Sequence, residues 1–146
     1  MVASAERVID APADEVYGYL ADMRQRERFL PPAFSDFQVE EGGTGTGTVA
    51  SFKITVGGRT RSYRMRVSEP VPGQTLLETD TGSSLTTTFS VTPHEGKSRV
   101  SITTSWDGAS GIGGFFERAF APRAMRLLYS DELDRLSAYA RQQRAS

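Results

Sequence analysis

The stretch LTTTFSVTPHEGKSRVSITTSW, residues 85–106, decides the fold. Glu95-Gly96 stands between two alternating runs, the pattern of a two-residue hairpin turn. That turn sets Val91 opposite Val100, Phe89 opposite Ile102, Thr87 opposite Thr104 and Leu85 opposite Trp106. Every pair matches in polarity. A slip of one residue would set apolar against polar throughout, so the register is well specified. One face is apolar with two threonines set into it. The other carries Thr86, Thr88, Ser90, Ser101, Thr103 and Ser105.

A second hairpin lies upstream. A turn at Gly57-Gly58 opposes Val56 to Arg59, Ile54 to Arg61, Phe52 to Tyr63 and Ala50 to Met65. Opposed residues share a face. Phe52, Ile54, Tyr63 and Met65 therefore stand together, with Arg61 among them. Ser51, Lys53, Thr55, Ser62, Arg64 and Arg66 form the wet side.

Working outward, six strand-like runs fall near 35–41, 47–56, 59–68, 74–80, 84–92 and 98–106. The short turn signals between them mark an antiparallel meander. Residues 3–10 read as a first strand. DAPADEVYGYLADM follows, with Pro12 and two acids in a first helical turn and Val16, Tyr19, Leu20 and Met23 at helical spacing. RQRERFL reads as a second short helix, stopped by Pro31-Pro32. After Gly111-Ile-Gly-Gly the helical period returns in FFERAFAPRAMRLLYSDELDRLSAYARQQ, which Pro122 should kink or break. The expected class is α+β: one domain over residues 1–146, with two short helices after the first strand and a curved antiparallel meander around a long C-terminal helix. A sheet with one wet face must bury the other, and only the last helix is long enough to cover it.

Composition narrows the function. Cysteine is absent, which excludes disulfides, thiolate metal sites and cysteine nucleophiles. His94 is the single histidine, so a zinc site would need three or four carboxylates, and no metal is expected. The net charge of -1 lacks the basic excess of a nucleic-acid protein. No apolar run is long enough to span a membrane, and MVASAERVID lacks the apolar core of a secretory signal. A cytoplasmic protein is expected, with an arginine-over-lysine bias that fits GC-rich bacterial coding.

Each candidate for chemistry has a plain structural counterpart. His94 lies at a turn tip, where a general base finds no dry, orienting setting. GGTGTG at 42–47 stands between strands and has no helix N-terminus for a phosphate; it reads as a flexible loop that could gate a cavity mouth. DGASGIGG at 107–114 lacks the nucleophile-elbow spacing and reads as a hinge. Arg61 on the inner face could hold a ligand oxygen, or snorkel to solvent. Tyr63 could donate a hydrogen bond. Glu78 turns inward if the loop at Thr81-Gly82 has two residues and outward if it has three; the reading adopted is Leu77 inward and Glu78 exposed. Arg24, Arg26 and Arg28, with interleaved acids, read as a solvated face.

Three segments together resemble a known family. They are VIDAPADEVYGYLADMRQRERFLP at 8–31, EPVPGQTLLE at 69–78 and FFERAFAPRAMRLLYSDELDRLSAYA at 115–140. The chain resembles the START-like, or SRPBCC, superfamily, and within it the polyketide cyclase/dehydrase and lipid-transport group. Where that family often carries tryptophan, Phe29 and Phe34 stand. The resemblance implies a helix-grip fold with a hydrophobic cavity between sheet and helix. Similar proteins bind lipids, sterols, quinones, polyketides or plant hormones, and a minority catalyse aldol cyclisation and dehydration.

The expectation is a protein that binds a small hydrophobic ligand without a cofactor, as a monomer or homodimer, with no nucleic acid and no integral membrane segment. The ligand contacts expected are Phe52, Ile54, Arg61, Tyr63, Met65, Thr87, Phe89, Thr104, Trp106, Phe116, Phe120 and Leu128. The alternatives are a polyketide cyclase or aromatase in which Arg61 and Tyr63 polarise carbonyl oxygens, and a regulatory or interaction protein whose cavity is filled by side chains.

Overall fold

The computed structural model describes residues 1–107 and 122–145. The chain runs through β1 (Val2–Ile9), α1 (Ala13–Ala21), α2 (Met23–Arg26) and a 3-10 turn at Glu27–Phe29. Six strands follow: β2 (Phe34–Glu41), β3 (Val49–Val56), β4 (Arg59–Val71), β5 (Thr75–Asp80), β6 (Thr86–His94) and β7 (Lys97–Ser105). The last element, α3, is Pro122–Ala145. All seven strands form one antiparallel sheet in the order β1-β7-β6-β5-β4-β3-β2. The two short helices carry the chain from one sheet edge to the other.

Both hairpin registers stand as the turns dictate. Phe52 faces Tyr63 and Ala50 faces Met65 across β3–β4. Phe89 faces Ile102 and Thr87 faces Thr104 across β6–β7. Leu85 and Trp106 lie just beyond that ladder, and both are buried. Register shifts interrupt the β2–β3 pairing at Ser35/Gln38 and the β4–β5 pairing at Ser68/Val71. Extra residues of this kind bend a strand and sharpen its twist, which lets a long sheet wrap.

The interior divides by element. Helix α3 packs against β1 and the 3-10 turn, while α1 packs against β6 and β7. The buried stripe of α3 is Met125, Leu128, Tyr129, Glu132, Leu133, Leu136 and Ala140, at three- and four-residue steps. Pro122 lies in the first described turn of this helix. On α1 the buried set is Val16, Tyr17, Leu20 and Ala21, and Pro12 is the cap residue just before the helix. Tyr17, which the expected stripe omitted, takes the inward place; Tyr19 is half-buried with its ring edge-on to Tyr139.

Two expectations need correction. Glu78 points inward and is buried, and Leu77 is only half-buried. The cause is loop length. The Asp80 N–H donates to the Leu85 carbonyl at 3.0 Å, so four residues close the turn and Glu78 pairs with Thr87. The Asp80 carboxylate holds that loop, accepting from Ser83 Oγ at 2.6 Å and from the Arg64 N–H at 2.9 Å. Arg26 is likewise no part of a solvated face. It is 4% exposed, because α2 turns it toward Glu78.

Candidate functional site

A narrow cleft opens between the β2–β5 half of the sheet and α3. Its apolar wall is Leu30, Phe34, Phe37, Phe52, Ile54, Met65, Leu85, Phe89 and Met125, and its polar points are Arg26, Tyr63, Glu78, Thr87, Tyr129 and Glu132. The cavity between these side chains is about 30 Å³. That volume holds little more than a couple of waters.

The aromatic wall depends on a bulge. Phe34 and Phe37 are three residues apart, and a regular strand would point them to opposite faces. In β2, Ser35 pairs with Lys53 and Gln38 with Ser51, so Asp36 and Phe37 together oppose Phe52. Asp36 takes a left-handed backbone, φ 52°. Both rings then reach Phe52, at 5.3 Å and 6.2 Å between centroids, and Phe52 in turn meets Tyr63 at 5.8 Å.

The polar end is more heavily charged than a plain core. The Arg26 Nη2 donates to Glu78 Oε2 at 2.8 Å, its Nε donates to the Leu20 carbonyl at 3.0 Å, and its guanidinium lies 4.3 Å from the centre of the Phe89 ring. Glu132 completes the group from α3. It is 2% exposed, and its Oε2 has no hydrogen-bond partner among the described residues. Burial, in part offset by Arg26, pushes the Glu132 carboxyl up to about 7. Beside it runs a chain of hydroxyls: Thr87 and Thr104 share a hydrogen bond of 2.8 Å, and Thr104 Oγ1 donates to the Tyr129 hydroxyl at 2.5 Å. Burial holds the Tyr129 phenol above its usual range.

The residues expected from sequence divide accordingly. Phe52, Ile54, Tyr63, Met65, Thr87 and Phe89 line the cleft. Thr104 stands behind it, bonded to two of the lining hydroxyls. Trp106 and Leu128 are buried outside the lining. Arg61 is half-buried beside a separate surface hollow with Ser51, Ser62, Arg64 and Asp80, its guanidinium 5.6 Å from the Tyr63 ring centre. Phe116 and Phe120 lie outside the described residues. His94 sits at the β6–β7 turn with Nδ1 3.3 Å from Arg99.

Sequence reasoning missed Arg26, Glu132 and Tyr129, although a signal existed. Residues 125, 129, 132 and 136 follow helical steps, so Glu132 falls inside an apolar stripe.

The glycine-rich loop is tied down. Gly45 donates to the Ala21 carbonyl at 3.1 Å and Met23 to the Gly43 carbonyl at 2.9 Å. Glu69 accepts from the Tyr17 hydroxyl at 2.5 Å and from the Thr46 N–H at 2.7 Å. Those bonds, the Tyr17 one foremost, hold the Glu69 carboxyl below its usual range. Gly45 has φ +67°, and a Cβ there would collide with the Glu69 carboxylate, so the loop needs glycine at that point.

Among the described residues, no cluster of three or more His, Asp or Glu side chains could hold a metal, and no helix is long and apolar enough to cross a membrane.

A family model described as polyketide cyclase / dehydrase and lipid transport matches residues 2–141. Among solved structures, the chain is similar to the KanY protein (ms6282), with 34% identity over 97% of each chain and a TM-score of 0.86. It shares its fold with TTHA0849 from Thermus thermophilus, at 17% identity over 98% of this chain and 99% of that one, TM-score 0.81. The same holds for CV1439 from Chromobacterium violaceum, at 22% identity over 94% of this chain and 96% of that one, TM-score 0.72. No curated protein matches the chain.

Proposed function

The chain belongs to the polyketide cyclase/dehydrase and lipid-transport family of the SRPBCC superfamily, and we propose that it binds a small hydrophobic molecule between its sheet and α3. The observation that carries this reading is the linked row of Phe34, Phe37, Phe52 and Tyr63. It runs from partly exposed rings at the sheet edge to a buried polar end. A core built only for stability has no need of a bulge that brings a second phenylalanine onto the wall. Aromatic sides with a few convergent polar groups suit an aromatic or isoprenoid body bearing one polar function.

The space available sets the manner of binding. The cleft takes a molecule larger than water only if its side chains swing aside. Phe34, Phe37 and Phe52 are the ones placed to do so, being half-buried. Met65 and Met125 add adaptable walls.

Native mass spectrometry of the purified protein, followed by organic extraction, tests the reading. A co-purifying quinone, lipid or polycyclic compound is the expected result. A clean apo mass, with no thermal shift against a panel of quinones, fatty acids and polycyclic aromatics, would overturn it in favour of a cavity filled by side chains.

A further inference from the structure

Resting on that reading, the geometry points to a ligand whose polar function is a neutral oxygen acceptor, a ketone, quinone or aldehyde carbonyl, which takes a hydrogen bond from the Glu132 carboxyl. Three buried charged side chains meet at the polar end of the cleft: Arg26 from α2, Glu78 from β5 and Glu132 from α3. Arg26 and Glu78 already satisfy each other at 2.8 Å. One guanidinium cannot balance a second buried carboxylate as well, and an uncompensated buried charge neutralises instead. A neutral Glu132 carries one O–H donor. Its Oε2 is buried with no partner among the described residues, and Glu132 is one of the side chains that line the cleft.

Elimination selects the acceptor. A carboxylate ligand would bury a second negative charge beside Glu78 while the one guanidinium there is already engaged. An ammonium ligand would have to ionise Glu132 and desolvate itself close to the Arg26 guanidinium. An oxygen with lone pairs and no charge meets neither repulsion. Beyond Arg26 and Glu78, the charged group acting on Glu132 is Asp131 on α3, which adds to the negative field; the Tyr63 and Tyr129 phenols share the cleft. The carboxyl therefore stays protonated up to about 7, and the donor is lost as the pH rises beyond that.

Four probes on one naphthalene body separate the possibilities: acetylnaphthalene, ethylnaphthalene, naphthoate and naphthylmethylamine. Titrated into the full chain by calorimetry below neutral pH, the ketone is expected to bind up to about tenfold more tightly than ethylnaphthalene, one good neutral hydrogen bond. Naphthoate and the amine are expected to bind more weakly than the ketone. Glu132→Leu should erase the ketone preference while leaving ethylnaphthalene binding in place. Glu132→Gln, whose amide still donates, should keep most of the preference and lose its decline above neutrality. Preference for the amine or naphthoate, or a ketone preference that survives in Glu132→Leu, would overturn the inference alone. If no probe binds, ethylnaphthalene included, the hydrophobic-ligand reading fails and this inference fails with it.

Discussion

The two halves of the sheet treat the same problem differently. The β1-β7-β6 half pairs without a single register shift over the full lengths of β1 and β7. Its interior residues Ile9, Val91, Val100 and Ile102 are sealed, and Leu133 and Leu136 are sealed on α3, which packs against β1. The β2–β5 half is bulged, carries half-buried aromatics and, with α2 and α3 against it, buries one guanidinium and the carboxyls of Glu78, Asp80 and Glu132. The first half buries apolar area and a few hydroxyls, those of Thr87, Ser98 and Thr104, but no charge. The second keeps costly groups inside and leaves its walls room to move. Stability and the candidate site are thus carried largely by different strands of one sheet, with β6 shared between them through Thr87 and Phe89, and single substitutions should separate them.

Arg26→Ala should have the largest effect. It strands the Glu78 carboxylate in the interior without its cation, and breaking a buried pair on one side typically costs about 3–5 kcal/mol. Replacing both partners, Arg26→Met with Glu78→Leu, should recover most of that loss, because the paired charges pay their own desolvation. Leu136→Ala in the other half should cost about 2–5 kcal/mol as a cavity and leave the binding of an apolar probe unchanged. Urea denaturation of the variants and probe titration together check the division. Equal loss of probe binding in Leu136→Ala and Arg26→Met/Glu78→Leu would mean that the halves are not independent.

The next effect is a pH dependence with opposite signs in two places. Glu132 has its carboxyl raised from 4.5 to about 7. Across that window the folded chain holds a proton that the unfolded chain has released, so stability falls as pH rises, by roughly 3 kcal/mol in all. Glu69 is depressed below 4.5, so its contribution is present above the unfolded value and is lost as pH falls through the folded one. Stability should therefore peak on the acid side of neutrality. Glu132→Gln should flatten the limb toward neutral pH and Glu69→Gln should weaken the acid limb. Denaturation midpoints measured from acid to neutral pH decide it, and a neutral limb that persists in Glu132→Gln would place the titrating group elsewhere.

This division also explains what could be read from the sequence. The regular half was legible almost residue by residue. Glu95-Gly96 is a turn of known length, as is Gly57-Gly58 between β3 and β4 in the other half, and a turn of known length fixes the parity of both strands. Glu78 was misplaced because TDTGSSL allows loops of two, three or four residues, and only the Asp80 carboxylate bonds select four. Arg26 was misplaced because its burial depends on Glu78, a partner 52 positions away that local spacing does not reveal. Glu132 alone was within reach, as an acid on an apolar helical stripe. The candidate site is therefore less legible than the core for a physical reason. It is built from irregularities, and irregularities leave no period.

The smallest effect expected is also the sharpest test of that idea. Asp36 is exposed, in a strand, with its carboxylate 3.2 Å from Lys53 Nζ. On strand propensity alone, Asp36→Val should be neutral or stabilising, and the surface ion pair it removes is worth at most about 1 kcal/mol. The backbone argues the other way. Asp36 sits at φ 52°, where a β-branched side chain is an outlier costing on the order of 1–3 kcal/mol. Val should therefore destabilise by about 1–2 kcal/mol, whereas Asp36→Asn and Asp36→Gly, which tolerate that conformation, should change stability by about 0.5 kcal/mol or less. The strand can escape the strain only by losing its extra residue, and with period two restored Phe37 would leave Phe52 and face solvent. Proton contacts between the Phe37 and Phe52 rings, read by NMR, report this directly. They should persist in the Asn and Gly variants and weaken in the Val variant, together with binding of an aromatic probe. A Val variant as stable as wild type, with those contacts intact, would show that the aromatic wall does not depend on the bulge.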